Sequence, residues 1–194
     1  MLNLRRYTTA CTIRVVLLLS LLSSAVQSAS LISKEYDKHF KDAAIFLPVG
    51  TDWRLLKAQC YQESRLNPRA VSPVGAYGLC QFMPNTAREM QSKYPELVNF
   101  WLPETSILAA ARYMNQMARF WSSPRRSADR YMLALASYNA GAGNIHNSQK
   151  ACGMPIPYAP IIKCLPDITG KHSQETIGYV KNTVDKWYVY LLLE

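Results

Sequence analysis

From Asn67 to Pro84 the chain reads NPRAVSPVGAYGLCQFMP. Pro68, Pro73, Gly75 and Gly78 fall inside this run, and Pro84 closes it. A helix interior loses a hydrogen bond and clashes at proline, and pays conformational entropy at glycine. The segment must therefore be turns and short extended pieces, with room for no more than a small β-hairpin over 69–84. Its flanks show helical periodicity. The chain is thus constrained to helices packed on either side of one compact non-helical insert, and the expected fold class is α+β, mostly α.

Apolar spacing places a helix over 34–47, with Tyr36, Phe40, Ala43, Ala44 and Leu47 on one side. Pro48-Val49-Gly50 breaks it, and Thr51 is positioned to cap a second helix from Asp52 to Leu66. Asn67-Pro68 ends that helix. Further helices are expected over 85–93, 104–121, 127–140 and 174–193, with a short helical turn reaching Lys150 and a loop over 151–170. With 194 residues, 49% of them hydrophobic, the chain is long enough for one domain with a real core. No repeat, linker or low-complexity tract divides it.

The first residues follow another logic. Arg5, Arg6 and Arg14 precede a leucine-rich run, Val15–Leu22, and then small residues through Ala29. This is the pattern of a secretory signal peptide over 1–28, with cleavage expected after Ser28 and the mature domain over 29–194. The apolar run is short for a membrane span, a retained N-terminal anchor being the alternative. Without 1–28, 19 basic residues stand against 13 acidic ones, a net charge of about +6. A modestly basic exported chain suits an anionic envelope or wall polymer. No dense Lys/Arg stripe or nucleic-acid motif is present, so nucleic acid is not an expected partner.

Export also governs the cysteines. Cys60, Cys80, Cys152 and Cys164 remain after the leader, an even number in an oxidising compartment. Three pairings are open. Cys152 with Cys164 would staple a proline-rich loop; Cys60 with Cys80 would tie the second helix to the Gly-Leu-Cys-Gln run. The spacings do not suit a zinc site.

Glu63 is the only carboxylate between Cys60 and Pro84. Trp53, Leu56, Cys60 and Glu63 are spaced three, four and three apart, one stripe on a helix. The acid therefore continues an apolar face, where desolvation raises a carboxyl pKa and favours a proton donor at neutral pH. A helix-end Glu paired with Arg65, Arg69 or a backbone amide is the bland alternative. Asp52 lies on the same helix, on the order of 16 Å away, too far to act as a second acid.

Four groups of residues around this acid form an ordered set. They are Glu63-Ser64; Asn67-Pro68 with Ser72-Pro73-Val74-Gly75-Ala76 and Gly78-Leu79-Cys80-Gln81-Phe82-Met83-Pro84; Ala134 to Gly141 containing Tyr138-Asn139-Ala140-Gly141; and Glu175-Thr176-Ile177-Gly178-Tyr179-Val180. In sequence and order the set resembles the catalytic domain of the soluble lytic transglycosylases, the goose-type-lysozyme-like enzymes that cut bacterial peptidoglycan. One position departs from the family pattern: Cys80 stands where a methionine is usual, which strengthens a pairing with Cys60.

The resemblance implies a lysozyme-like helical domain and a single-carboxylate reaction on peptidoglycan glycan strands. Glu63 would act as general acid, then base, and leave a 1,6-anhydromuramic acid end, with no metal or other cofactor. It implies substrate-orienting roles for Ser72 and Gln81, a hydrogen bond from Tyr138 to Glu63 or to the N-acetyl group, and a supporting role for Glu175. Met83 and Tyr179 would line the groove, although without the resemblance those two and Tyr138 read as ordinary core. Asn139 is expected to fix a helix end, and Ser64 to orient Glu63 or cap its turn. The expected setting is a monomer in the periplasm. The other readings are a goose-type hydrolase, or a wall-binding part of a secretion, conjugation or phage-entry machine with weak catalysis.

Overall fold

The structure is a computed structural model that describes residues 33–193. The leader assigned to 1–28 lies outside the described residues. From Glu35 onward the chain forms one unit. Its helices are α1 (Asp37–Ala43), α2 (Trp53–Ser64), α3 (Pro84–Lys93), α4 (Pro103–Phe120), α5 (Ser127–Ala140), α6 (Ala142–Ala151), α7 (Tyr158–Ile162), α8 (Leu165–Thr169) and α9 (Ser173–Leu193). Short 3-10 turns cover Ala44–Phe46 and Gly170–His172.

The mostly helical expectation holds, and the β content is slight. Between α2 and α3 the described residues contain two isolated antiparallel bridges, Val71 to Tyr77 and Tyr77 to Phe82. Tyr77 and Phe82 exchange both backbone hydrogen bonds at 3.0 Å. Gly78 sits at the tip of this turn with φ +80°, and a Cβ there would lie 2.5 Å from the carbonyl oxygen of Phe100. Only glycine fits both demands.

α2 and α5 are the buried centre. Leu133, Ala134, Leu135 and Ala136 of α5 are inaccessible, as are Leu56, Ala58, Gln59 and Cys60 of α2. The apolar stripe read from the sequence of α2 is thus too narrow. The helix packs against α1, α4 and α9, so even Lys57 is buried; its ammonium pairs with Asp37 at 2.6 Å. The long α9 runs along α2, with Tyr179 reaching Glu63 near one end and Lys186 donating to Gln62 at 2.8 Å.

Several boundaries differ from expectation. Asp52, not Thr51, caps α2: its carboxylate accepts from the Arg54 amide at 2.8 Å. A charged acceptor at the positive helix end outcompetes a hydroxyl. α2 also stops at Ser64, before Asn67-Pro68, because Arg65 and Leu66 both adopt left-handed backbone, φ 57° and 62°. The loop expected over 151–170 contains α7 and α8. Their prolines, Pro160 and Pro166, lie in first turns, where the missing N–H costs nothing. The disulfides are Cys60–Cys80 and Cys152–Cys164, and the second holds the end of α6 to the segment between α7 and α8.

Candidate active site

Glu63 is the penultimate residue of α2. The left-handed pair Arg65-Leu66 turns the chain sharply away after it, so the carboxyl group stands at a helix end beside the bridged loop. Three ties fix that end to the loop. The Cys60–Cys80 disulfide lies one turn before Glu63. The Ser64 hydroxyl donates to the Leu79 carbonyl at 2.6 Å and accepts from the Asn67 amide at 3.0 Å. The Cys80 amide in turn donates to the Ser106 hydroxyl of α4 at 3.1 Å. Ser64 therefore joins helix to loop.

Two tyrosines stand beside the acid, and it is Tyr179 that bonds to it. Tyr179, expected to line the groove, donates its hydroxyl to Glu63 Oε1 at 2.6 Å. Tyr138, expected to donate to Glu63 or to the N-acetyl group of the substrate, donates to the Cys80 carbonyl at 2.8 Å. Its phenol still lies near enough for the charge of Glu63 to raise its pKa further, after the larger effect of burial. Burial first, then the Glu63 charge, also hold the Tyr179 phenol well above its ordinary value. Both hydroxyls therefore remain donors across the physiological range.

Desolvation pushes the Glu63 carboxyl up from 4.5 to about 8, opposed by the Tyr179 hydrogen bond and aided by the nearby charge of Glu175. Glu175 itself is exposed in the first turn of α9. Glu63 is only part-buried, open enough to meet a ligand. Such a group is protonated at pH 7 and has a donor ready for its anion.

The loop residues serve the backbone more than expected. Gln81 has left-handed backbone, φ 53°, and its amide nitrogen donates to the carbonyls of Ala70 at 3.1 Å and Gly78 at 2.9 Å. The Ser72 hydroxyl accepts from the Ala76 amide at 3.0 Å and closes the turn 72–76. No contact among the described residues brings the Ser72 hydroxyl to Glu63. Met83 is exposed at the start of α3. Asn139 accepts from the Thr176 hydroxyl at 2.7 Å, tying the end of α5 to α9 beside Glu175.

Sequence reasoning passed over the aromatic wall that carries Tyr138. Its ring meets Tyr113 of α4 edge-on at 5.3 Å and Phe82 at 5.9 Å, and Phe82 meets Phe100 at 4.9 Å. Tyr113 sits beside Arg112 on a helix whose sequence, expected helical over 104–121, carries many Ala and Met residues, so periodicity gave the tyrosine no prominence. Ser106 was equally hidden; a serine in a first helical turn usually faces solvent, and this one is fully buried.

Together these features define a lysozyme-like helical domain built around one sheltered carboxyl group. The family model for the Transglycosylase SLT domain matches residues 48–154. Curated relatives include the membrane-bound lytic murein transglycosylases F of Shewanella pealeana, 39% identical over 146 residues, and of Pseudoalteromonas translucida, 33% identical over 144. These alignments cover 72% and 71% of this chain, but the chain spans only about 30% of the length of either relative. The crystal structure of the 70 kDa soluble lytic transglycosylase of Escherichia coli matches with a TM-score of 0.65 and 27% identity, over 81% of this chain and 24% of that one. An inactive Glu-to-Gln mutant of Slt from Pseudomonas aeruginosa matches with a TM-score of 0.59 and 26% identity, over 84% of this chain and 23% of that one. The chain belongs to the transglycosylase SLT domain family.

Proposed function

We propose that this chain is a peptidoglycan lytic transglycosylase, cleaving the bond between N-acetylmuramic acid and N-acetylglucosamine and forming a 1,6-anhydromuramic acid end. The observation that carries the reading is Glu63: a carboxyl group raised to about 8 by desolvation, with the Tyr179 hydroxyl on Oε1. With Oε1 accepting from Tyr179, the proton sits on Oε2. Glu63 gives that proton to the glycosidic oxygen as the C1–O bond breaks, and the bonding pair leaves with the oxygen. The acetamido oxygen of the same sugar stabilises the positive charge developing at C1. The Glu63 carboxylate, held by Tyr179, then takes the proton from the O6 hydroxyl as O6 closes on C1. Glu63 ends protonated, and no water is consumed. The tethered O6 outcompetes water through its high effective molarity.

Glu175 acts through its charge, sustaining the proton on Glu63 beforehand. Gln81, Met83 and Tyr138 flank the glycan, and Ser72 contributes through the turn it closes. The leader-like residues 1–28 support export to the periplasm, where the chain works as a monomer and its wall opening serves a secretion, conjugation or phage-entry machine. The test is Glu63→Gln. Turnover of purified peptidoglycan should fall by about 10²–10⁴-fold, with the circular dichroism spectrum unchanged. A variant that digests walls like the parent removes Glu63 from the reaction.

A further inference from the structure

Two cavities lie away from Glu63, and none of their lining residues belongs to the site above. The first, about 430 Å³, is lined by Lys93 and Tyr94 at the end of α3, by Phe46, and by Arg112, Gln116 and Arg119 of α4. The second, about 710 Å³, has an aliphatic wall that includes Ile45, Leu47, Pro48, Val49 and Ala118. Asn115 and Arg119 line both, so the two adjoin along α4 as neighbouring halves of one groove-like face.

The charges are unevenly placed. Lys93, Arg112, Arg119 and Arg130 line the groove, and among the described residues no carboxylate does. Glu96 stands behind Arg112, paired with Nη2 at 2.6 Å, and Glu89 accepts weakly from Gln116 at 3.5 Å. Arg112 is held rigidly: its guanidinium lies 4.1 Å from the Phe46 ring centroid and 4.4 Å from that of Tyr94. A cation clamped between two rings has already lost its rotamer freedom and binds an anion without paying it again. The aliphatic half, by contrast, leaves Ile45 79% exposed and Val49 fully exposed. Large aliphatic side chains standing in water beside a cavity mark a contact surface.

We propose that this groove docks an extended segment of a partner protein that carries acidic side chains next to aliphatic ones. The carboxylates would sit against Arg112, Arg119 and Lys93, and the aliphatic side chains against Ile45, Pro48 and Val49. A glycan strand offers only isolated acetamido and lactyl methyl groups to the second half, and a simple anion leaves it unused. Charge complementarity selects the acidic partner, and the apolar wall selects a polypeptide. The proposal is independent of the reaction at Glu63.

The test titrates the full chain, freed of any leader by its own export, with a blocked six-residue peptide of alternating Glu and Leu. Backbone amide shifts are followed by NMR at Val49, Asn115 and Arg119. Saturable shifts at these three positions are expected, with matching Gln-Leu and Glu-Ser peptides binding at least about fivefold more weakly. Arg119→Glu and Val49→Asp alter exposed side chains, and each should weaken the Glu-Leu peptide by about fivefold or more while leaving peptidoglycan digestion unchanged. The proposal is overturned by an absence of saturable shifts, by equal binding of the Gln-Leu peptide, or by shifts centred on Glu63 and Gln81. It is equally overturned if acetate alone reproduces the shifts, or if these residues respond to phosphatidylglycerol vesicles and not to the peptide.

Discussion

Glu63 holds a proton at neutral pH because the water its neighbours exclude would stabilise the anion more than the hydrogen bond they return does. Burial outweighs the hydrogen bond from Tyr179, and the charge of Glu175 works in the same direction as burial. Three consequences can be measured. First, kcat/KM should fall as pH rises through about 8, where the free enzyme loses the acid form. Second, Tyr179→Phe removes the interaction that lowers the Glu63 pKa, so the alkaline limb should move upward while kcat drops; a limb that moves down would reverse the assigned role. Third, the raised pKa is a stability cost. Below about 4.5 folded and unfolded chains both hold the proton, so the cost is absent. Between 4.5 and about 8 only the folded chain holds it, so stability falls as pH rises, and above 8 the full cost remains. Glu63→Gln should therefore gain Tm relative to the parent from pH 5 to pH 8 and then level off.

The sequence made Glu63 visible through its place on an apolar stripe. It did not reveal which tyrosine serves it. Tyr179 lies 116 residues away on α9, and only the packing of that helix along α2 brings its hydroxyl to Oε1. Tyr138 has the same chemistry and a similar setting, but the end of α5 aims it at the Cys80 carbonyl.

Among the elements, the loop between α2 and α3 does most to hold the site. It is bonded to α2 through Cys60–Cys80 and Ser64, to α4 through Ser106, and to α5 through Tyr138. Replacing both Cys60 and Cys80 by alanine opens a loop with a sequence separation of 20. Denaturant unfolding should show a loss of about 3 kcal/mol. Activity measured well below the new midpoint should also fall, because the Cys80 carbonyl is the anchor for Tyr138. Gly78→Ala should cost more than about 1 kcal/mol, since the added Cβ meets the Phe100 carbonyl in a left-handed backbone.

Helix existence was readable from periodicity here, and helix ends were less so. Thr51 and Asp52 are both competent caps, and it is the charged Asp52 that accepts at the helix end. α7 and α8 span five residues each, too few for a periodic signal, and their prolines read as breakers although each sits in a first turn. The extent of burial on α2 was also hidden. Lys57 and Gln59 look like a polar face in sequence, yet neighbouring helices cover both.

For the whole molecule, the four ordered motifs from 63 to 180 carried the fold through their resemblance to the soluble lytic transglycosylases, which implies a lysozyme-like arrangement of helices. The basic and aliphatic groove beside α4 carried no such pattern; its residues are scattered from 45 to 131 and meet only after folding. The central claim is that one sheltered acid serves as both acid and base, so that the sugar's own O6 closes the reaction. Mass spectrometry of the products from purified peptidoglycan tests it most directly. The account predicts muropeptides ending in 1,6-anhydromuramic acid, each lighter by one water than its hydrolysed counterpart. Products ending in reducing muramic acid would contradict it, because a water molecule, and a group to activate it, would then have to replace O6.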